Sequence, residues 1–446
     1  MKVTLENSLA KFSDKFRLSK EFTEECKKQI PGAYSRVSFN YGPHAIFVDH
    51  GEGQYIHTID GHRLLDLNNN FTVNILGHNH SKISAALMEA IPKGFSFGNP
   101  MKHEKHLAEI ICERVASVEK IKFSCSASES CLSAARIARA YTGKNKIAKF
   151  EGGYHGFIDD LQISAHPSPE CLPGPDNHPA PLADSAGIPS YTIENTLILP
   201  QNDFEACEKI LRENAHDTAC VMMELQSGAG GVVVLDKEFV AGIRSLTSEL
   251  GILMIIDETI TLRADVGGLQ KIYGVKPDLT VMGKIIGGGL PLGAVGGQAK
   301  YFNVAENGQV HLSGTHHGHP LAAVAGIACL EVMDKAAYDR LNQMAGRIKN
   351  ELNQWADGNG YPFIVYGEFS FFGYAFTDKP GRQIKSHRDF WRYTNNDHIL
   401  TFALEMANRD FFPVHRGQIA LSLPMSDEDI DGLIMTTKEI VAGILG

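Results

Sequence analysis

The chain has 446 residues, 43% hydrophobic and 21% charged, with 52 acidic against 42 basic side chains and a formal net charge of −10. This length is too great for one simple core and predicts two domains, or one large domain with a lobe built from the termini. The composition is globular, and an acidic balance with no basic stretch excludes a nucleic-acid partner. Met1 to Lys20 mixes charged and apolar residues with no signal-peptide core, and no stretch is long and apolar enough to span a membrane, so a soluble, cytoplasmic protein is expected. Eight cysteines, closely spaced only at Cys125 and Cys131, predict reduced thiols rather than a disulfide framework or a zinc site.

In chain order, a helix is expected from about Ser19 to Ile30, stopped by Pro31-Gly32. Short extended pieces at Ala45–Asp49, Tyr55–Asp60 and Leu64–Leu67, with Gly51, Gly53 and Gly61 as turns, read as a small β lobe. From His80 the texture alternates. Helices are expected near Ser81–Ile91, Glu104–Val115 and Ser128–Tyr141, and strands near Ile121–Ser124, Lys146–Phe150, Thr196–Leu199, Ala219–Met223, Leu253–Asp257 and Leu279–Gly283. Such alternation implies a mostly parallel sheet covered on both faces. His166 to Tyr191, rich in Pro, Ser, Gly and Asp, interrupts the rhythm as a long loop of the functional or mobile kind. A last lobe opens on a long helical stretch, His319 to Trp355. Strands near Phe363–Tyr366 and Phe371–Phe376, a helix near Phe390–Arg409, a strand at Ile419–Ser422 and a helix after Pro424 complete it. The expected division is 1–75 for the N-terminal part of the small lobe, 76–329 for the large α/β domain and 330–446 for the C-terminal small domain.

The most informative stretch is Asp278-Leu279-Thr280-Val281-Met282-Gly283-Lys284, which sets a lysine at the end of an apolar run and follows it with Gly287, Gly288 and Gly289. Partial desolvation there favours the unprotonated amine that attacks an aldehyde, the requirement of a Schiff-base lysine. Upstream, Leu253-Met254-Ile255-Ile256-Asp257-Glu258 is too short for a helix and reads as a buried strand ending in two carboxylates. Enough chain separates Asp257 from Lys284 for a crossover and a second parallel strand, and the C-terminal ends of such strands face one crevice. A lysine for the aldehyde carbon and a carboxylate to keep the pyridine nitrogen protonated are what pyridoxal 5'-phosphate asks of a protein.

A phosphate also wants helix-start N–H groups and hydroxyls, which Ser124-Cys125-Ser126-Ala127-Ser128-Glu129 offers after an expected strand. Taken alone, Ser126 or Ser128 serves equally as an ordinary helix cap. Phe150-Glu151-Gly152-Gly153-Tyr154-His155-Gly156 presents an aromatic ring between glycines, suited to stacking on a flat heterocycle. His311, His316, His317 and His319 lie across a Gly-rich loop without helical ligand spacing, and no metal site is expected. His78 and His80 are expected to be satisfied hydrogen-bonding groups of a turn.

Phe150 to Gly156, Asp257-Glu258, Gly283-Lys284 through Gly297, and Ser313-Gly314-Thr315 followed by His319-Pro320 resemble the class III aminotransferases of fold type I. The branch with glutamate semialdehyde aminomutases and β-phenylalanine-type aminotransferases is the nearest, and the similarity runs from Pro31 to the final helix. It implies an α/β, fold type I PLP-dependent transferase: a large domain with a mostly parallel, seven-stranded sheet, plus a small α+β lobe from both termini. By the same resemblance Lys284 is the internal aldimine, Asp257 the partner of the pyridine nitrogen and Tyr154 the stacking residue. Ser126, Ala127 and Ser128 would lie at the phosphate, joined by Thr315 from the neighbouring subunit, which implies a homodimer with shared active sites. His155 and Glu224 complete the implied cofactor-binding set. Arg36, Arg416 and Arg263 match arginines that bind substrate anions, a task suited to planar guanidinium forks. Arg263 also reads as a surface salt-bridge partner.

Three departures from the family pattern stand out: Ser126-Ala127-Ser128-Glu129-Ser130, Glu224-Leu225-Gln226-Ser227, and Asp257-Glu258-Thr259-Ile260-Thr261. The expectation is an aminotransferase moving an amino group between a small β- or ω-amino acid and a keto acid, with an ammonia-lyase or an aminomutase as rivals. Arg36, Tyr41, Arg263 and the Pro-rich loop are the candidates for setting the substrate.

Overall fold

A computed structural model describes residues 3–36 and 42–446; Tyr41 lies outside them. The chain folds as two compact units, Met1–His80 with Arg340–Gln383 and Tyr393–Gly446, and Ser81–Asp339 with Ile384–Arg392. Residues 384–392, inside the stretch 330–446, therefore belong with the larger unit.

The smaller unit opens with two helices, Leu5–Lys15 and Arg17–Cys26, the first capped by the Thr4 hydroxyl. The first of these is absent from the expected elements, and the second starts before Ser19 and ends at Cys26, where the chain turns towards Pro31. Phe12 and Phe16 bury completely against Ile56, Leu64, Leu404 and Phe412. Strands β1 (Val48–Glu52), β2 (Tyr55–Thr58) and β3 (Arg63–Asp66) follow. The first begins later than expected, at Val48, with Ala45 and Ile46 buried in the core ahead of it.

The larger unit is built on β4 (Lys120–Ser124), β5 (Lys146–Phe150), β6 (Thr196–Leu199), β7 (Thr218–Met223), β8 (Leu253–Asp257), β9 (Leu279–Gly283) and β10 (Gly293–Gly297), in the order β4-β10-β9-β8-β7-β5-β6. Every neighbouring pair is parallel except those made by β10. β7, β8 and β9 are buried at every position, which explains their unbroken apolar runs. Sequence reading misses β10, whose glycines resemble a turn. They serve a close approach instead: a Cβ at Gly293 would lie 2.2 Å from the Ser126 carbonyl oxygen. Bare backbone thus lets the helix Ala127–Thr142 set its first turn on the sheet.

The expected helix His319–Trp355 is two, Pro320–Val332 and Lys335–Asn359. The Arg114 guanidinium takes the Leu330 and Met333 carbonyls at the break, and Asp334 Oδ1 caps the next helix at Ala337 N, 2.9 Å away. Likewise the expected helix Phe390–Arg409 is His387–Tyr393 and Asn396–Asn408, the latter capped by Asn395. Strands β11 (Phe363–Tyr366), β12 (Phe371–Phe376), β13 (Phe411–Phe412) and β14 (Gln418–Ala420) belong to the smaller unit. β13 extends the first sheet beside β3, and β11-β12-β14 form another. A capping box of Ser426 and Asp429 starts the last helix, Asp427–Leu445. No helix among the described residues is long and apolar enough to cross a membrane.

Gly293→Ala should push the first turn of Ala127–Thr142 off the sheet. Urea unfolding is expected to show a loss of about 1–3 kcal/mol, the usual cost of overpacking; wild-type stability would show that this contact relaxes freely.

Candidate active site

Asp257 ends β8 and Lys284 follows β9, and the register pairs Asp257 with Val281 on the neighbouring strand. Asp257 is 4% exposed. Its Oδ1 accepts from Thr259 N at 3.0 Å, and its Oδ2 lies 2.9 Å from His155 Nδ1 and 3.5 Å from Cys131 Sγ. Burial alone would raise this carboxyl, but the hydrogen bonds from His155 and Thr259 outweigh it and hold it below the usual carboxylate range. Burial keeps His155 neutral, so its Nδ1 carries the proton given to Asp257. The buried Nε2 of His155 has no hydrogen-bond partner.

Glu224, just past β7, tells the opposite story. Its Oε2 accepts from Tyr154 N at 3.0 Å and its Oε1 from Gly228 N at 2.9 Å. Burial and the charge of Asp257 nevertheless push it up to about 8, against the opposing pull of those bonds and of the Lys284 ammonium. That pull places the Lys284 amine within electrostatic reach of Glu224. Lys284 itself has φ of 52°, in the left-handed region that a residue with a side chain occupies at a cost.

The helix Ala127–Thr142 starts beside this pair. A Cβ at Gly283 would lie 3.0 Å from Ala127 Cβ, and one at Gly156 would lie 2.4 Å from Ser128 Oγ. Ser126 is the cap, accepting from Glu129 N while Glu129 bonds back to Ser126 N. The structure thus gathers Lys284, Asp257, His155, Glu224 and the start of this helix, with Ser126, Ala127 and Ser128, in the larger unit. Tyr154 is 38% exposed, with its ring centroid 5.3 Å from that of His166.

Other candidates sit elsewhere. Thr315 is exposed, on a loop that lines a cleft with Phe97, Pro100 and Glu104. In the same loop His317 comes together with Cys125 and Glu129, their ligand atoms within 4.8 Å of one another, a grouping that sequence spacing does not reveal. Arg36 and Arg416 belong to the smaller unit, Arg36 exposed and Arg416 half-buried in the turn before β14. The surface reading of Arg263 is corrected: it is 0% exposed inside the larger unit, and burial drags its guanidinium down to about 9, with Tyr338 as a neighbour. Glu258, the second carboxylate of the motif, is structural; it accepts from the Thr261 hydroxyl, Leu269 N and Gln270 N. Part of the Pro-rich loop is anchored, because Arg388 spans from Glu151 (2.8 and 3.0 Å) to the carbonyls of Pro173 and Gly174 (2.9 Å each). In the sequence Cys131 stands out only for its spacing, and its contact with Asp257 becomes visible only once the helix packs under β8.

These residues fit pyridoxal 5'-phosphate. A buried carboxylate held ionised suits a protonated pyridine nitrogen, and helix-start N–H groups packed by glycine contacts suit a phosphate. A mostly parallel sheet with a lysine and such a carboxylate at adjacent strand ends defines a PLP enzyme of fold type I. The chain belongs to the class III aminotransferase family, whose sequence model matches residues 37–383, and its cofactor is pyridoxal 5'-phosphate. It is similar to a glutamate-1-semialdehyde 2,1-aminomutase of Heliobacterium modesticaldum, 36% identical over 94% of this chain and 96% of that one. To the enzyme of that name from Desulfotalea psychrophila it is 40% identical over 77% and 80%. Among solved structures, an omega-transaminase from Sphaerobacter thermophilus matches with a TM-score of 0.90 at 30% identity, covering 96% of this chain and 98% of that one. A β-phenylalanine aminotransferase from Variovorax paradoxus gives 0.89 at 28%, covering 98% and 97%.

Glu224 and Glu258 sit above the ordinary glutamate value of 4.5, at about 8 and about 7. At these two sites the folded protein therefore holds protons that the unfolded chain has released, and the stability they contribute is lost as pH rises from 4.5 to about 8. Glu224→Gln should flatten this slope, read as urea midpoints across the window; an unchanged slope would mean that Glu224 is already ionised in the fold.

Proposed function

We propose that this protein is a cytoplasmic PLP-dependent aminotransferase that moves an amino group between a small β- or ω-amino acid and a keto acid. The observation that carries the reading is the buried Asp257, held ionised one strand away from Lys284. When bound, the cofactor supplies an aldehyde that condenses with amines and an electron-poor ring that accepts electrons from the substrate carbon. Lys284 Nζ is the group that would hold the aldehyde end and take or return the proton at the substrate carbon. Asp257 keeps its negative charge at the ring nitrogen, and His155 and Thr259 keep it there.

Ser126, Ala127, Ser128 and the helix start would hold the phosphate, and Tyr154, its backbone N–H pinned by Glu224, would be the aromatic partner of the ring. Arg36 and Arg416 recognise the acid group by guanidinium chemistry. Arg263, fully buried in the larger unit, is the third candidate for the acid group. A homodimer in which Thr315 reaches the neighbour's phosphate is consistent with the exposure of Thr315, Phe95, Phe97 and Phe157; sedimentation at micromolar concentration should give twice the chain mass.

A second reading, an aminomutase that relocates the amino group within one molecule, is favoured by the names of the curated relatives. Holoenzyme mixed with β-alanine, β-phenylalanine or 4-aminobutyrate should lose the visible absorbance of the bound aldehyde and recover it on adding a keto acid. Failure with every such donor, together with isomerisation of glutamate 1-semialdehyde without an acceptor, would establish the mutase instead.

Lys284→Ala should fold normally and lose turnover by about 10²–10⁴, the range of a missing acid–base group. Thermal melting and steady-state rates check both halves; residual turnover near wild type would move the proton transfer to another residue.

A further inference from the structure

The segment Asn69, Asn70, Phe71 and Thr72 has φ of 52°, 53°, 50° and 76°. Four successive residues with side chains thus lie in the left-handed region, which such residues normally visit singly. Backbone of this kind persists only where its surroundings over-determine it, and it concentrates at binding sites. Here the surroundings are explicit. Asp66 Oδ1 accepts from Asn68 N at 2.9 Å and Asn69 N at 2.8 Å, while its Oδ2 meets His78 Nε2 at 2.7 Å. Asn69 Nδ2 donates to the Asp66 and Ala420 carbonyls at 3.1 and 2.8 Å, and Phe71 N donates to Asn68 Oδ1 at 2.6 Å.

The turn is not arranged for stability alone. Asn68 Nδ2, Asn69 Oδ1 and Thr72 Oγ1 are buried without hydrogen-bond partners, each a cost to folding. What it achieves is the presentation of Asn70 and Phe71 to one side chain: Arg36 Nη1 donates to Asn70 Oδ1, and Arg36 Cζ lies 5.5 Å from the Phe71 ring centroid. One contact fixes an edge of the guanidinium and the other its face.

We propose that this left-handed turn is a specificity element, which presets Arg36 in the orientation that accepts a substrate's acid group and so selects amino acids over simple amines. The inference rests on the assignment of Arg36 to acid recognition made above. Asn70 and Phe71 are positioning residues, and Asp66 and His78 hold the backbone that carries them.

The test uses holoenzyme and three acid donors, β-alanine, β-phenylalanine and 4-aminobutyrate, beside the acid-free ethylamine, 1-phenylethylamine and propylamine. Asn70→Gly suits the left-handed backbone while removing the arginine contact, so its melting temperature should stay level or rise. Its KM for the acid donors should rise about tenfold, the scale of one charge-assisted hydrogen bond, with kcat and the amines unchanged. Asp66→Asn should raise KM in the same way and melt lower. Arg36→Lys separates the two claims. If it raises KM and Asn70→Gly does not, the turn has no such role and the assignment of Arg36 stands. If Arg36→Lys leaves KM unchanged, acid recognition by Arg36 fails and this inference fails with it.

Discussion

Removing a carboxylate from water costs several kcal/mol unless hydrogen bonds replace the lost solvent, and an unsupported one takes up a proton instead. Asp257 is kept charged in the interior by donors from three separate places: Thr259 just beyond its own strand, His155 from the glycine loop after β5, and Cys131 from the helix after β4. Three segments distant in the chain thus meet at this one side chain, and His155 and Thr259 are the donors that hold its charge. The apolar strands β7, β8 and β9 supply the dry surroundings that give the charge its reach.

Glu224 and Asp257 show how that reach is used. Both are buried, both accept two or more hydrogen bonds, and they repel each other, yet one is held low and the other rises to about 8. A pair of neighbouring carboxyls driven apart in this way carries one negative charge at neutral pH, not two. Lys284, whose charge bears on Glu224, thus stands beside a pair that holds a single negative charge. Glu224 also accepts from the backbone N–H of Tyr154, so the charge balance and the position of the ring residue meet at one group.

What the sequence disclosed follows from burial on two faces. Strands covered on both sides read as apolar runs, and Lys146–Phe150, Leu253–Asp257, Leu279–Gly283 and Phe371–Phe376 fall where they are expected, as do the less evenly buried Thr196–Leu199 and Phe363–Tyr366. β10 escapes notice because its glycines answer to a neighbouring helix rather than to strand propensity. The helix break at Met333-Asp334 has neither proline nor glycine; it depends on Arg114, more than two hundred residues earlier in the chain, taking up the orphaned carbonyls. At the site, the lysine and the aspartate announce themselves by standing at strand ends. The bond from His155 and the burial of Arg263 belong to tertiary packing, and a charged residue such as Arg263 is read as exposed until the fold says otherwise.

The departures from the family pattern bear differently on reaction type once they are placed. The hydroxyl of Ser227 accepts from Val233 N at 2.9 Å, and the backbone of Gln226 bridges to Val234, so this stretch is knitted into its own turn. The departure there bears on how a loop is held, which is a weak reason to expect elimination rather than transfer. Ala127 is different, because its methyl group packs at Gly283, the residue before Lys284. A side chain at that point limits how closely the helix start can approach the strand that carries the lysine. Thr259, from the third departure, reaches the same glycine, and its backbone N–H also holds Asp257, so two of the three departures meet at the strand end that carries the lysine.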